Sequence, residues 1–187
     1  MRVGILGGSF DPVHHGHLIA AQVLREQLHL DAVRLVPAAQ QPLKPAGHGA
    51  SARDRAAMVG LAAQGEPGLQ LEPIEVDRGG SSWTVDTLRA LRDREPAVQW
   101  VLLVGTDAAA DLARWREVEA LRGLAELVTF SRGGVPTGDH GVATPNIAIS
   151  STAVRTRVRD GLSIRYWVPD TVADYVATHR LYQDGNS

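Results

Sequence analysis

The chain alternates short apolar runs with longer amphipathic segments, and this alternation constrains its fold more than any other feature. Apolar runs predict strands at residues 2–6, 32–37, 69–76, 99–104, 127–131 and 146–149. Helices are predicted at residues 18–28, 51–63, 84–94, 107–124 (in two pieces), 152–160 and 172–179. Strands that alternate with helices of about 10 to 15 residues are typical of parallel sheets with right-handed crossovers. The sequence therefore predicts an α/β fold: a Rossmann-like, doubly wound, mainly parallel sheet with helices on both faces.

Length and composition suit one compact domain. The 187 residues are 44% hydrophobic, so we expect a single domain over residues 1–187 whose C-terminal part, from about residue 151, is helical. A net charge of −2 gives no support for binding long nucleic acid. The chain has no cysteine, which excludes disulfides and thiolate chemistry. No apolar stretch reaches the roughly 18 residues of a membrane span. We therefore expect a cytoplasmic protein without nucleic-acid or membrane partners, and a homo-oligomer stays an open option.

Ligands of doubly wound sheets bind beyond the carboxyl ends of the strands, where the strand order changes direction. The residues that immediately follow each predicted strand are therefore the candidates for function. Four such junctions carry glycine, polar or basic residues: 7–17, 38–44, 105–107 and 150–155.

The first junction combines two glycines with histidines at the start of a helix. Gly7 and Gly8 allow a ligand to approach the backbone closely. The first amides of a helix favour anions, and His14 and His17, three residues apart, face the same side there. This arrangement suits a triphosphate, and a glycine turn with surface histidines is the simpler alternative. A zinc site that includes His15 is disfavoured because three histidines so close on a loop rarely reach one ion, so no metal site is predicted.

The last junction places three hydroxyl residues before a helix. Ser150, Ser151 and Thr152 are all good helix N-caps, but capping needs only one of them. Arg155 is predicted to lie in the first turn of that helix, where a cation works against the helix dipole. Binding of phosphate by its planar guanidinium would explain this placement.

These two junctions resemble the two signatures of one nucleotidyltransferase superfamily. The first is Gly-x-Phe-Asp-Pro-x-His-x-Gly-His, which is matched at Gly8, Phe10, Asp11, Pro12, His14, Gly16 and His17. Ser9 stands where threonine is more usual and keeps the hydroxyl. The second is Ile-Ser-Ser-Thr-x-x-Arg, which is matched over residues 149–155. The two signatures lie near opposite ends of the chain, some 135 residues apart.

The segments between them resemble the bacterial nicotinate mononucleotide adenylyltransferases. The likeness covers residues 83–88, 105–107, 114–115, 131–132, 163–166 and 168–169. Three positions depart from that family. Leu43 replaces the histidine of a Pro-Pro-His-Lys element and leaves Lys44 in place, Trp83 replaces a more usual tyrosine, and Thr106 replaces alanine.

The resemblance implies transfer of the adenylyl group of ATP to nicotinate mononucleotide, giving deamido-NAD and pyrophosphate in NAD biosynthesis. Mg²⁺ is expected to accompany ATP. A related transferase that uses nicotinamide mononucleotide, pantetheine phosphate or a polyol phosphate is the nearest alternative. A nucleotide-sensing module with a dead active site belongs to a different class of function.

The strand-end positions and the resemblance together assign roles to individual residues. Catalysis is assigned to His14, His17, Arg155 and Lys44. ATP binding is assigned to Gly7, Gly8, Ser9, Phe10, His14, Gly16, His17, Gly105, Asp107, Ile149, Ser150, Ser151, Thr152 and Arg155. Mononucleotide binding is assigned to Lys44, Trp83, Thr84, Asp107, Trp115 and Arg132. The alternatives are a core position for Trp115, a helix N-cap for Asp107 and a solvated surface charge for Arg132.

Overall fold

A computed structural model describes residues 1–42, 47–133 and 141–183. Within these ranges, six strands form one sheet in the order β3-β2-β1-β4-β5-β6. The strands are β1 (Arg2–Gly8), β2 (Ala32–Pro37), β3 (Leu69–Leu71), β4 (Gln99–Gly105), β5 (Glu126–Arg132) and β6 (Val142–Thr144). Every neighbouring pair is parallel. The predicted parallel, doubly wound sheet is confirmed, and its strand order changes direction between β1 and β4.

Eight α-helices accompany the sheet in the part of the chain that the structure describes. They are α1 (His15–Gln27), α2 (Ala52–Ala62), α3 (Ile74–Arg78), α4 (Thr84–Arg94), α5 (Thr106–Ala109), α6 (Val118–Leu124), α7 (Ser151–Arg159) and α8 (Asp170–Thr178). A 3₁₀ turn at Leu112–Arg114 lies between α5 and α6. None of the helices in the described ranges is long and apolar enough to cross a membrane.

The helices cover both faces of the sheet, as β4 illustrates. Val101 and Leu103 belong to one buried cluster, whereas Leu102 and Val104 belong to another, because successive side chains of a strand point to opposite faces. The first core takes buried residues from α1, α2, α7 and α8. The second core takes them from α4 and α6.

The predicted strand at residues 69–76 is wrong beyond Leu71. The chain turns there, and Pro73 becomes the N-cap of α3. Proline has no amide hydrogen to continue a strand ladder, but it is well tolerated at the start of a helix. β3 is the outermost strand on its side of the sheet.

The predicted strand at residues 146–149 is also wrong. The last strand in the described residues is β6, which begins four residues earlier than the predicted strand and pairs with β5, with Phe130 opposite Val142. Pro145 follows β6 directly, and its missing amide hydrogen ends the ladder. The second signature is therefore reached through an extended connection and not directly from a strand.

The start of one predicted helix also needs correction. Helix α1 begins at His15, three residues earlier than predicted, with His14 as its N-cap. The helical region 107–124 is divided as predicted, into α5 and α6 with the 3₁₀ turn between them. Glu117 interrupts it with a left-handed backbone conformation, φ 52°. Gly105 is the N-cap of α5, so the N-cap alternative for Asp107 is wrong.

Candidate active site

A cavity of about 750 Å³ opens at the carboxyl ends of β1, β2, β4 and β5. Its size is in the range of small-molecule sites, and it lies where the strand order changes direction. We call its lining residues from 7–17 and 150–155 the motif wall. We call those at 75, 82–88 and 105–116 the tryptophan wall, which packs over the second core.

The structure brings nearly all the predicted site residues to this cavity. On the motif wall the lining residues include Gly7, Gly8, Ser9, Phe10, His14, Gly16, His17, Ser150, Ser151, Thr152 and Arg155. Elsewhere they include Trp83, Thr84, Gly105, Asp107, Trp115 and Arg132. Ile149 is the described exception, since it packs against the first core. Lys44 lies outside the described residues.

The two signature histidines form one stacked unit. The imidazole rings of His14 and His17 are 3.7 Å apart between centroids and inclined by 27°. The backbone amide of His14 donates to Nδ1 of His17 over 3.3 Å. This bond requires a lone pair on Nδ1, so in the neutral ring the proton of His17 resides on Nε2. His17 therefore has a hydrogen-bond donor left for a ligand.

Burial keeps both imidazoles neutral. It lowers the pKa of His14 from 6.5 to about 4, and the positive charge of Arg132 adds to the effect. Burial also lowers the pKa of His17 well below its usual value, followed by the influence of His14 and of Arg132. At neutral pH the pair can offer hydrogen bonds but not positive charge. The described residues contain no group of three or more metal-ligating side chains.

Each of the three hydroxyls of the second signature makes a different hydrogen bond. Ser150 caps α7, because its Oγ accepts from the amide of Ala153 over 3.1 Å, which confirms the capping alternative for this residue. The Oγ of Ser151 donates to the carbonyl of Pro12 over 2.9 Å. The hydroxyl of Thr152 accepts from Arg155 over 3.3 Å. Ser151 thereby joins the two signatures directly.

Arg155 provides the second link between the signatures. It is the fifth residue of α7, so the prediction that it lies in the first turn is wrong. Its Nη1 donates to the carbonyl of Asp11 over 2.7 Å and lies 3.7 Å from that residue's carboxylate. One third of its side chain remains exposed. The ion pair holds the guanidinium in place, and the cavity includes its surface.

The carboxylate of Asp11 is a buried junction that the sequence did not reveal. It accepts from the amides of Gly49 and Ala50 over 2.7 and 3.0 Å. Its Oδ1 also accepts from the hydroxyl of Tyr182 over 2.8 Å. Burial and the negative charge of Asp11 raise the pKa of Tyr182, which therefore stays protonated and donates. The carboxylate thus joins residues from both ends of the chain.

Arg55 is a second functional candidate that sequence reasoning missed. It lies in α2, is fully buried and donates to the carbonyls of Ser9, Ala39 and Ala50. Burial lowers its pKa, although its charge is retained in the usual pH range. Arg55 thereby joins the segments that follow β1 and β2, of which Ser9 lines the cavity. An arginine in a helix ordinarily indicates a solvated face, so no local signal identified it.

The tryptophan wall combines aromatic rings with the start of α4. Trp83 is the N-cap of α4 and Thr84 is its first residue. Trp115 follows the 3₁₀ turn. Both tryptophans pack against the second core and line the cavity, so the core alternative and the binding prediction are compatible. Asp107 and Arg132 are both exposed at the cavity rim.

Glu75 is a buried acid within this wall. Its carboxylate accepts from the hydroxyl of Thr87 over 2.7 Å. Burial raises the pKa of Glu75, while the hydrogen bonds from Thr87 and Ser82 oppose that rise. These bonds fix the segment that carries Trp83, because Ser82 also accepts from the amide of Ala39 over 2.9 Å.

Comparison with known proteins gives a consistent relationship over the whole chain. The family model described as cytidylyltransferase-like matches residues 5–157. A protein of Gemmatimonas aurantiaca named "Probable nicotinate-nucleotide adenylyltransferase" is 45% identical, over 98% of this chain and 93% of its own length. A protein of the same name from Synechococcus is 40% identical, over 98% of this chain and 95% of its own length.

Solved structures support the same fold. The Plasmodium falciparum nicotinic acid mononucleotide adenylyltransferase complexed with NaAD aligns with a TM-score of 0.79 at 18% identity, covering 97% of both chains. Its complex with APC aligns with a TM-score of 0.75 at 18% identity, covering 97% of this chain and 96% of the other. By the family model and its full-length relatives, the chain belongs to the cytidylyltransferase-like family and, within it, to the nicotinate-nucleotide adenylyltransferases.

Proposed function

We propose that this protein transfers the adenylyl group of ATP to nicotinate mononucleotide, forming deamido-NAD and releasing pyrophosphate. The observation that carries the proposal is that His17 and Arg155 face one cavity whose opposite wall holds Trp83 and Trp115. One wall offers donors for a polyphosphate and the other offers aromatic surface for a ring. The names of the full-length relatives supply the identity of the acceptor.

The reaction needs little covalent chemistry from the protein. An oxygen of the acceptor's phosphate attacks the α-phosphorus of ATP and forms the new P–O bond. The bond from the α-phosphorus to the α,β-bridging oxygen breaks, and pyrophosphate leaves with that electron pair. The attacking oxygen is already anionic at neutral pH, so no general base is required. Catalysis then comes from positioning and from stabilisation of developing charge.

The motif wall is suited to the triphosphate. In this proposal Nε2–H of His17 and the imidazole of His14 donate to phosphate oxygens as neutral groups. Arg155 supplies positive charge near the leaving pyrophosphate. The first amides of α7, at Ser151 and Thr152, point away from the helix and add further donors. Lys44 belongs to the same proposal by family resemblance.

The tryptophan wall is suited to the mononucleotide. Trp115 would stack on the cationic pyridinium ring, which favours an electron-rich face. Thr84 and the adjoining amides of α4 would donate to the carboxylate of nicotinate. Asp107 would accept from ribose hydroxyls, and Arg132 would meet the phosphate of the mononucleotide.

Mg²⁺ fits the proposal as a companion of ATP. The ion would be held chiefly by phosphate oxygens and water, because Mg²⁺ keeps several waters when it binds. It would neutralise charge on the phosphates. A cytoplasmic location also remains part of the proposal.

Steady-state kinetics with a panel of acceptors tests the function. Nicotinate mononucleotide, nicotinamide mononucleotide and pantetheine phosphate are each supplied with ATP or CTP, and pyrophosphate release is followed. We expect the highest kcat/KM for nicotinate mononucleotide with ATP. A higher value for pantetheine phosphate would assign the protein to a different transferase. Absence of pyrophosphate release with every pair would support the nucleotide-sensing alternative.

A further inference from the structure

Positive charge is distributed unevenly around the cavity. Among the described lining residues three are arginines: Arg155 on the motif wall, Arg132 at the end of β5, and Arg116. Of these three arginines, Arg116 belongs to the tryptophan wall. The remaining charged lining side chains of that wall are acidic, namely Glu75, Asp107 and Asp111. An anionic substituent on a bound ring would therefore meet repulsion on this wall if Arg116 were neutral.

The guanidinium of Arg116 is held beside the aromatic surface. Its central carbon lies 5.7 Å from the centroid of the Trp83 ring. Its Nη1 lies 3.4 Å from Oδ2 of Asp86, and its Nε lies 3.6 Å from Oε1 of Glu117. Half of the side chain is exposed, and exposed ion pairs of this kind are weak. A ligand carboxylate can therefore compete for this guanidinium without large loss elsewhere.

Resting on the proposed function, we propose that the guanidinium of Arg116 selects a mononucleotide whose ring carries a carboxylate over one that carries a carboxamide. A carboxylate gains a charge-assisted hydrogen bond to the planar guanidinium, whereas a neutral amide gains no comparable attraction. The backbone donors at the start of α4 can serve the oxygen of either substituent. Discrimination between the two acceptors thus depends on the charge of this side chain.

The test measures kcat/KM for both mononucleotides with Arg116→Gln, which removes the charge and keeps a polar side chain. We expect kcat/KM for nicotinate mononucleotide to fall roughly 10- to 100-fold, the usual effect of one charge-assisted bond. The value for nicotinamide mononucleotide should stay within about threefold of wild type, so the preference between them collapses. The loss should appear mainly in KM, because the bond is made equally in the ground and transition states. The KM for ATP should not change.

Arg114→Gln is the matched control. Arg114 lies two residues earlier, is exposed and pairs with Asp111 over 3.4 Å, so the variant has the same change of charge. It should leave the acceptor preference unchanged. An equal fall for both mononucleotides in Arg116→Gln, or an unchanged preference, would overturn the proposal. If wild type used neither mononucleotide, the proposed function itself would fail, which is a separate result.

Discussion

At the scale of single residues, the stacked histidines show how neighbours determine chemistry. Imidazole titrates close to neutral pH in water, yet burial keeps both rings uncharged. The amide of His14 fixes the proton of His17 on Nε2. The sequence alone could not distinguish a cationic pair from a neutral one. The structure favours neutral hydrogen-bond donors that leave positive charge to Arg155.

The first prediction concerns His17. His17→Ala removes the Nε2 donor that we propose binds the triphosphate, so kcat should fall by about two to three orders of magnitude, as for loss of one donor to a transition-state oxyanion. The fold should persist, which circular dichroism would verify. His15→Ala is the control, because His15 is adjacent but does not belong to the cavity lining. Near-normal turnover of His17→Ala, or equal loss in His15→Ala, would contradict the assignment.

Residue type and spacing made part of the site predictable. His14, His17 and Arg155 belong to patterns that can be found in the sequence without knowing any tertiary contact. The contacts of Arg55 and Tyr182 could not be found in this way. They join residues 46 and 171 positions apart, and nothing near either residue in the sequence indicates the partner.

At the scale of secondary-structure elements, α8 and the turn that follows it connect the C-terminal region to the site. Tyr175 on α8 donates to Asp54 of α2 over 3.0 Å. Tyr182, beyond the helix, donates to Asp11 in the first signature. Both tyrosines donate to a carboxylate, but Asp11 is 4% exposed whereas Asp54 is partly open to solvent. The loss of one tyrosine hydroxyl can therefore be compared at a buried carboxylate and at a partly exposed one.

The second prediction concerns these tyrosines. Tyr182→Phe leaves a buried carboxylate with one donor fewer, so the free energy of unfolding should fall by about 1–3 kcal/mol. Turnover should also fall several-fold, because Asp11 anchors Arg155. Tyr175→Phe should change stability by less than about 1 kcal/mol and leave turnover intact. Urea denaturation and steady-state assays measure both, and equal effects in the two variants would refute the distinction.

Element positions were predictable where periodicity and apolar runs were clear. β2 and α4 have the predicted boundaries. The errors lie at Pro73 and in the assignment of the last strand, where a three-residue strand carries too few positions for a pattern. Short edge strands form because a neighbouring strand offers free hydrogen-bonding groups, and that information is not local.

At the scale of the whole molecule, the sheet order assembles the site. The ends of β1 and β4 meet where the order changes direction, and each face of the sheet supplies one wall of the cavity. Two of the histidines at this site, His14 and His17, are buried by this packing, and burial lowers their pKa values. Their low pKa values link stability to pH.

The third prediction follows from that linkage. The pKa of His14 is about 4 in the folded protein, whereas 6.5 is the ordinary value expected in the unfolded chain. Between pH 4 and pH 6.5 the unfolded chain therefore binds more protons at this residue than the folded protein does. Its contribution to stability is complete above pH 6.5 and is lost as the pH falls toward 4. Between pH 7 and 4.5, wild type should lose roughly 2 kcal/mol more stability than His14→Gln. Urea unfolding at both pH values measures this difference, and parallel losses would disprove it.

The bond between Tyr182 and Asp11 has a consequence for biosynthesis. Once the first 160 residues have been synthesised, both signatures are present in the chain. The carboxylate of Asp11 still lacks the hydroxyl of Tyr182, which lies 171 positions further along the sequence. The carboxylate of Asp11 therefore acquires its full set of hydrogen-bond donors only after residue 182 has been synthesised. This part of the site is therefore completed late in synthesis, when the turn after α8 packs against the first signature.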